Sequence, residues 1–161
     1  MPQKNKNVHA LTHASKGITN RIESPVEITN VVTNQIISTK GIWDTGATGS
    51  SITKSTASLL GLCSIGRRKV RGVHGINEVN VYYVRITLNN KNITIKARVT
   101  ECNELSADNT VGMLIGMNVI TMGDFAITNY KGDTIMSFRV PSLQKIDFVS
   151  GLKTVQQIVK N

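Results

Sequence analysis

The stretch GIWDTGATGSS, residues 41–51, places a single carboxylate directly after a short apolar run. Residues 35–43, QIISTKGIW, have the composition of a β-strand that ends at this point. Asp44 then meets a cluster of small residues. Such a cluster suits a tight turn, and it also suits a reactive group that other backbone must approach closely. Both roles remain open from these residues alone.

Several kinds of reactive site that an acid beside glycine might serve are disfavoured by the neighbouring residues. GIWDTGAT nearly matches the phosphate-loop pattern G-x-x-x-x-G-K-[ST], but Ala47 occupies the position of the essential lysine. An aspartyl-phosphate site would need a second acid two residues away. The three histidines are scattered, so we expect no metal and no cofactor. What remains is a carboxylate that activates water beside a second carboxylate, because such a pair shares one proton and supplies both a base and an acid.

Composition limits the class of protein. The chain has 161 residues, 40% of them apolar, which is enough for one domain with a core. No apolar run approaches the roughly 18 residues of a membrane helix, and the N-terminus is polar, so we expect a cytoplasmic protein with no membrane contact. In that compartment Cys63 and Cys102 are expected to be reduced thiols.

The net charge of +9 raises the question of a nucleic-acid partner. The only dense basic run is Arg67–Arg71, and the chain has only seven aromatic residues (one Trp, three Tyr, three Phe) on which bases could stack. We therefore expect no nucleic-acid partner and interpret the basic run as a solvated edge. If it lines a cleft instead, a preference for acidic ligands would follow.

Periodicity outward from residue 44 predicts mostly short strands. Strands are expected in residues 26–32, 35–43, 93–99 and 111–115, a helix in 51–62, two extended arms around a tip at 72–75, and a hairpin in 125–140. The result is an all-β or β-rich chain with two or three short helices.

The sequence predicts three regions. Residues 1–20 contain no acid and little apolar periodicity, so a mobile N-terminal arm is expected there. Residues 21–145 form one domain, and residues 146–161 form a helical tail with Ser150 as its cap.

In order along the chain, four features resemble the retropepsin-like aspartic proteases, the single-lobed class with retroviral and bacterial members. They are IWDTGAT, with Asp-Thr-Gly-Ala at residues 44–47; the segment SITKSTASLLGL; the glycine-tipped hairpin VRGVHGINEV; and MLIGMNVI followed by GDFAIT. Together they cover roughly residues 36–140.

This resemblance implies a fold and a reaction. The fold is a closed, β-barrel-like single lobe with a psi loop, and the reaction is hydrolysis of a peptide bond in an extended peptide or protein substrate, without metal or covalent intermediate. It also implies a homodimer, because two catalytic aspartates are needed and the chain has one Asp-Thr-Gly and is too short for a two-lobed form.

Residue roles follow from the resemblance by position. Asp44 is the catalytic acid and base, Thr45 ties the two active-site loops across the dimer, and Gly46 gives backbone contact to the carboxylate. The residues expected to bind substrate are Ala47 and the flap residues Gly72, Val73, His74, Gly75 and Ile76. The residues expected in the psi loop are Leu114, Ile115 and Gly116, with Gly116 passing close behind Asp44.

The chain departs from the family pattern at four positions. Trp43 is bulkier than the usual aliphatic residue and is expected to narrow a core pocket. Thr48 replaces the acid of some viral members, and Asn118 stands where many relatives carry Asp. The flap tip has His74 and no tyrosine. The alternative to an enzyme is a retropepsin-fold module that dimerises and binds extended peptides with negligible hydrolysis, although the intact Asp44-Thr45-Gly46 favours the enzyme.

Overall fold

The computed structural model describes residues 7–72, 75–150 and 152. Strands dominate these residues, as the periodicity predicts. The strands are β1 (His9–Ser15), β2 (Glu23–Asn30), β3 (Ile36–Trp43), β4 (Ser51–Thr53), β5 (Gly66–Gly72), β6 (Gly75–Leu88), β7 (Thr94–Cys102), β8 (Val111–Ile115), β9 (Asp124–Tyr130) and β10 (Asp133–Val140). The short helices are α1 (Lys54–Leu59) and α2 (Met117–Ile120).

Six strands close into a barrel. Their order is β2-β3-β8-β4-β7-β6, and β6 pairs back onto β2 along Val26↔Leu88 to Asn30↔Val84. β5 extends from the barrel as the partner of β6. The predicted all-β fold with a closed barrel is therefore confirmed.

The psi loop is the arrangement of β8 between β3 and β4, two strands that are consecutive in sequence. β8 runs parallel to β3, with Trp43 opposite Ile115, and antiparallel to β4, with Ser51 opposite Leu114. The end of β8 is thus brought beside the turn that joins β3 to β4, where Asp44 lies.

The barrel interior is filled by the alternating residues of the long strands. On β6, Val84, Ile86 and Leu88 are fully buried, whereas Tyr83 on the other face is exposed. β7 buries its apolar positions in the same way. Because successive side chains of a strand point to opposite faces, this period of two directs one set into the core.

Trp43 joins the barrel to a second sheet of order β1-β10-β9. Its ring stacks on Phe125 at 5.3 Å between centroids and packs at 5.1 Å from Phe138, and its Nε1 donates a hydrogen bond to Ser24 Oγ at 2.9 Å. The large side chain therefore fills the space between the two sheets with its one polar atom satisfied.

The prediction of a mobile arm over residues 1–20 is wrong for residues 9–15. These residues form β1, which pairs with β10 from His9↔Val140 to Ser15↔Thr134, and Leu11 is buried. The strand is stabilised by hydrogen bonds to a segment far away in sequence, so local periodicity gives little sign of it. Residues 1–6 lie outside the described residues, and the boundaries at 21 and 145 stay a prediction.

The predicted C-terminal helix begins earlier than expected. Residues 148–150 are helical, and Asp147 Oδ1 accepts hydrogen bonds from the N–H groups of Val149 and Ser150. Asp147, and not Ser150, is therefore the cap. Residues 151 and 153–161 of the predicted helix lie outside the described residues. Among the described residues, no helix is both long enough and apolar enough to cross a bilayer.

Asp124 fixes the segment that follows β10. Its carboxylate accepts hydrogen bonds from Ser142 Oγ, from the Leu143 N–H at 3.0 Å and from Arg139 Nε at 2.9 Å. These bonds, that of Ser142 foremost, favour the ionised form and lower the pKa of Asp124 to about 2.

The Asp124 network predicts a pH-dependent stability. Because the folded-state pKa lies below the unfolded value of about 3.9, the contribution is complete above that pH and is lost as the pH falls toward 2. In urea unfolding between pH 5 and pH 2, the free energy of unfolding should fall less steeply for Asp124→Asn than for the wild type. Ser142→Ala should give an intermediate slope. Equal slopes for all three proteins would contradict the assignment.

Candidate active site

Asp44 is held at the end of β3 by its own backbone and by the turn that follows. Its N–H donates to the Ile115 carbonyl at 2.9 Å, and its carbonyl accepts from the Ala47 N–H at 3.3 Å. The carboxylate Oδ1 accepts a hydrogen bond from the Gly46 N–H at 2.8 Å. Asp44 is half-buried, and no hydrogen bond to its other carboxylate oxygen is found among the described residues.

Glycine is needed where β8 ends behind this turn. A Cβ on Gly116 would lie 2.4 Å from the Gly49 carbonyl oxygen and 2.9 Å from that of Ala47. The next residue, Met117, donates its N–H to the Ala47 carbonyl at 2.8 Å. The psi loop thus contacts residues 47–49 backbone to backbone, and it positions the turn that carries Asp44.

Ser50 and Asn118 connect the same two segments through side chains. Ser50 is buried, and its Oγ accepts from the Gly116 N–H at 3.0 Å and donates to Asn118 Oδ1 at 2.8 Å. Asn118 therefore accepts a hydrogen bond through its amide oxygen. No local pattern predicts the role of Ser50, because 68 positions separate it from Asn118.

The predicted site residues fall in two groups. Thr45 is exposed beside Asp44, and Ala47, Ile115 and Gly116 contact the Asp44 turn as described above. Gly72 and Ile76 are exposed near the tip of the antiparallel β5–β6 hairpin, where Gly72 pairs with Gly75. Gly75 has a φ of 112°, a conformation that favours glycine. Val73 and His74 lie outside the described residues. Within the part of the chain that is described, no hydrogen bond joins this hairpin to residues 44–50.

In the described part of the chain, no group of three or more His, Cys, Asp or Glu side chains is placed to hold a metal ion. Asp44 offers a carboxylate, which can act as a general base when ionised and as a general acid when protonated.

The Gly116 contact predicts a large effect of one methyl group. Gly116→Ala should lower the free energy of unfolding by about 1–3 kcal/mol, because the backbone of residues 47–49 must shift to admit a Cβ. The matched control is Gly49→Ala, whose Cβ would meet nothing within 4 Å and which should be nearly neutral. Urea unfolding of both variants measures the difference, and equal stabilities would refute the close contact.

Comparison with known proteins agrees with this architecture. A family model described as spumavirus aspartic protease (A9) matches residues 34–107. A crystal structure of a retropepsin-like aspartic protease from Rickettsia conorii superposes with a TM-score of 0.56 at 16% identity, covering 87% of this chain and 99% of that one.

Two weaker structural matches are the retroviral protease-like domain of Ddi1 from Leishmania major and the simian foamy virus (mac) protease. The first has a TM-score of 0.48 at 20% identity, covering 81% of this chain and 99% of that chain. The second has a TM-score of 0.42 at 18% identity, covering 60% and 89%. A comparison with curated protein sequences gives no significant match. By its barrel, by the Rickettsia match and by the family match over residues 34–107, the chain has the retropepsin-like fold and resembles the retropepsin-like aspartic proteases in sequence.

Proposed function

We propose that the chain is an aspartic endopeptidase that hydrolyses peptide bonds with a water molecule activated between two Asp44 carboxylates, one from each subunit of a homodimer. One observation supports the proposal most directly: among the described residues, the Asp44 carboxylate has no partner outside its own turn. Its single described side-chain hydrogen bond comes from the neighbouring Gly46 N–H, within its own turn.

The other acids are engaged elsewhere. The sequence has ten acidic side chains, and nine remain when Asp44 is set aside. Each of the nine has a hydrogen-bond or ion-pair partner away from the Asp44 turn: Glu23 with Arg21, Glu27 with Lys91, Glu78 with Arg67, Glu101 with Tyr82, Glu104 with Ser55, Asp108 with Thr110, Asp124 with Arg139, Asp133 with Gly17 and Asp147 with Ser150. A second carboxylate for the reaction is therefore best supplied by another copy of the chain, in an isologous dimer.

The reaction follows from two carboxylates that hold one proton between them, as aspartic protease dyads are known to do. The ionised carboxylate takes a proton from water while the oxygen of that water bonds to the peptide carbonyl carbon. The protonated carboxylate gives its proton to the carbonyl oxygen, which leaves a neutral tetrahedral diol. Collapse of the diol breaks the C–N bond. The protonated carboxyl gives its proton to the departing nitrogen, which leaves as an amine, while one diol hydroxyl returns its proton to the ionised carboxylate as the carbonyl re-forms, so the dyad again holds one proton.

The remaining predicted residues take supporting roles in this proposal. Thr45 connects the two active-site turns across the dimer, and Ala47 borders the substrate. An extended peptide pairs its backbone with residues 72–76 of the hairpin, in the manner of an added strand. The rigid barrel holds the acid, while the exposed hairpin covers the substrate.

Substitution of the acid tests this function. Asp44→Asn keeps the shape and the Gly46 hydrogen bond but removes the ionisable group, so digestion of a peptide library at acidic to neutral pH should slow by at least about 10²–10⁴-fold. Asp133→Asn is the matched control and should cut like the wild type, because Asp133 belongs to the second sheet and accepts its hydrogen bond from Gly17.

The alternative outcomes separate the hypotheses. Equal cutting by wild type and Asp44→Asn would mean that Asp44 is not the catalytic group. If a folded, dimeric wild type does not cut but binds extended peptides, the chain is instead a peptide-binding module.

A further inference from the structure

A cleft opens beside the Asp44 turn, between three elements of the fold. Its walls are the end of the turn at Thr48–Ser50, the base of the hairpin at Ile65–Arg68, and the segment Arg98–Thr100 of β7. Three arginines line this cleft, and no acidic residue does. The basic run that the sequence suggests as a solvated edge is thus divided, because Arg67 and Arg68 line the cleft while Lys69 and Arg71 do not.

Two of the three arginines have no acidic partner. Arg67 lies 3.4 Å from Glu78 in an exposed ion pair. Arg68 and Arg98 are also exposed, and among the described residues, which include every acidic side chain of the sequence, no carboxylate lies within ion-pair distance of either. Two arginines without an acidic partner thus line one concave surface. Such a surface attracts a carboxylate, which a guanidinium can bind in a bidentate fashion.

The walls of the cleft are fixed by the barrel. The Thr100 N–H donates to the Ser50 carbonyl at 3.1 Å, and the hydroxyls of Ser51 and Thr100 hydrogen-bond at 2.8 Å. The base of the hairpin is tied in by the Ile65 N–H, which donates to the Val81 carbonyl at 2.8 Å. Arg68 and Arg98 lie on paired strands, opposite Val79 and Tyr83 of β6, so the backbone that carries them is already ordered before a ligand binds.

The distance to the proposed catalytic group limits which part of a substrate can reach the cleft. Thr48 follows Asp44 by four residues, so the two lie at most about 14 Å apart. An extended peptide advances about 3.3 Å per residue. A substrate side chain that enters the Thr48 end of the cleft therefore belongs to a residue within about four positions of the bond that is cut.

We infer that this cleft binds an acidic side chain of the peptide substrate, with Arg68 and Arg98 as its guanidinium partners. The inference rests on the proposed function and names its substrate class: peptides with Glu or Asp within about four residues of the cleaved bond. The preference belongs to residues of this chain outside the Asp-Thr-Gly motif.

Paired peptides test the inference. Each pair differs only by Glu or Gln at one position, scanned over four residues on either side of the cleaved bond. The wild type should show a kcat/KM about five- to tenfold higher for Glu at one or more positions, and added salt should reduce this ratio. In the double variant Arg68→Gln/Arg98→Gln the ratio should fall to about one.

The matched control is Lys69→Gln/Lys96→Gln. It removes the same charge from the same two strands at exposed positions that do not line the cleft, so the Glu/Gln ratio should stay at the wild-type value. A loss of the ratio in this control as well would assign the preference to overall charge and overturn the inference. Thermal unfolding of both double variants shows that each is folded before the ratios are compared.

A binding measurement separates this inference from the proposed function. Fluorescence anisotropy with labelled Glu and Gln peptides on Asp44→Asn measures cleft selectivity without turnover. Cleavage with no preference for Glu over Gln at any position would contradict the acidic-side-chain cleft but not the protease function. Absence of cleavage, with tighter binding of the Glu peptide that Arg68→Gln/Arg98→Gln abolishes, would keep the cleft and overturn the protease. Loss of both cleavage and selective binding would overturn both.

Discussion

Backbone-to-backbone packing of the end of β8 against the turn after β3 is the constraint on which the rest of the structure depends. The Gly116 Cα lies so near the Gly49 carbonyl that a methyl group would come to 2.4 Å from its oxygen. Hydrogen bonds from Asp44 to Ile115 and from Met117 to Ala47 lie on either side of this contact. β8 thus lies between β3 and β4 and contacts the turn that connects them. This contact positions Asp44, which begins the turn.

Charge is arranged unevenly around the Asp44 turn. Nine of the ten acidic side chains have partners away from that turn. Asp44 makes one described side-chain hydrogen bond, with the Gly46 N–H, whereas Asp108 and Asp147, which also bond within their own turns, each have a hydroxyl partner as well. In the neighbouring cleft, Arg68 and Arg98 are cations without an acidic partner among the described residues. An acid and two arginines that lack ion-pair partners among the described residues favour a site that acts on an extended, acidic peptide.

Local sequence patterns predicted the strands and turns that depend mainly on neighbouring residues. The extended arm after residues 72–75 and the strand pattern in residues 93–99 predicted β6 and β7, and the small residues after Trp43 indicated the turn. The psi loop was predicted only from the family resemblance, because inserting β8 between β3 and β4 depends on contacts far apart in sequence. β1 was not predicted, for the same reason. Its residues, His9–Ser15, pair with the distant β10, and Leu11 is the one buried residue of this strand. The Ser50–Asn118 bond and the arginine cleft likewise require the closed barrel.

The central claim is that catalysis needs two copies of Asp44 in one site. Wild type and Asp44→Asn, mixed and allowed to exchange subunits at a fixed total concentration above the dimer dissociation constant, test it most directly. If only dimers with two ionisable aspartates cut, peptidase activity falls as the square of the wild-type fraction, to about a quarter in an equal mixture. Activity that falls in direct proportion, to about a half, would show that each chain works alone and would contradict the account.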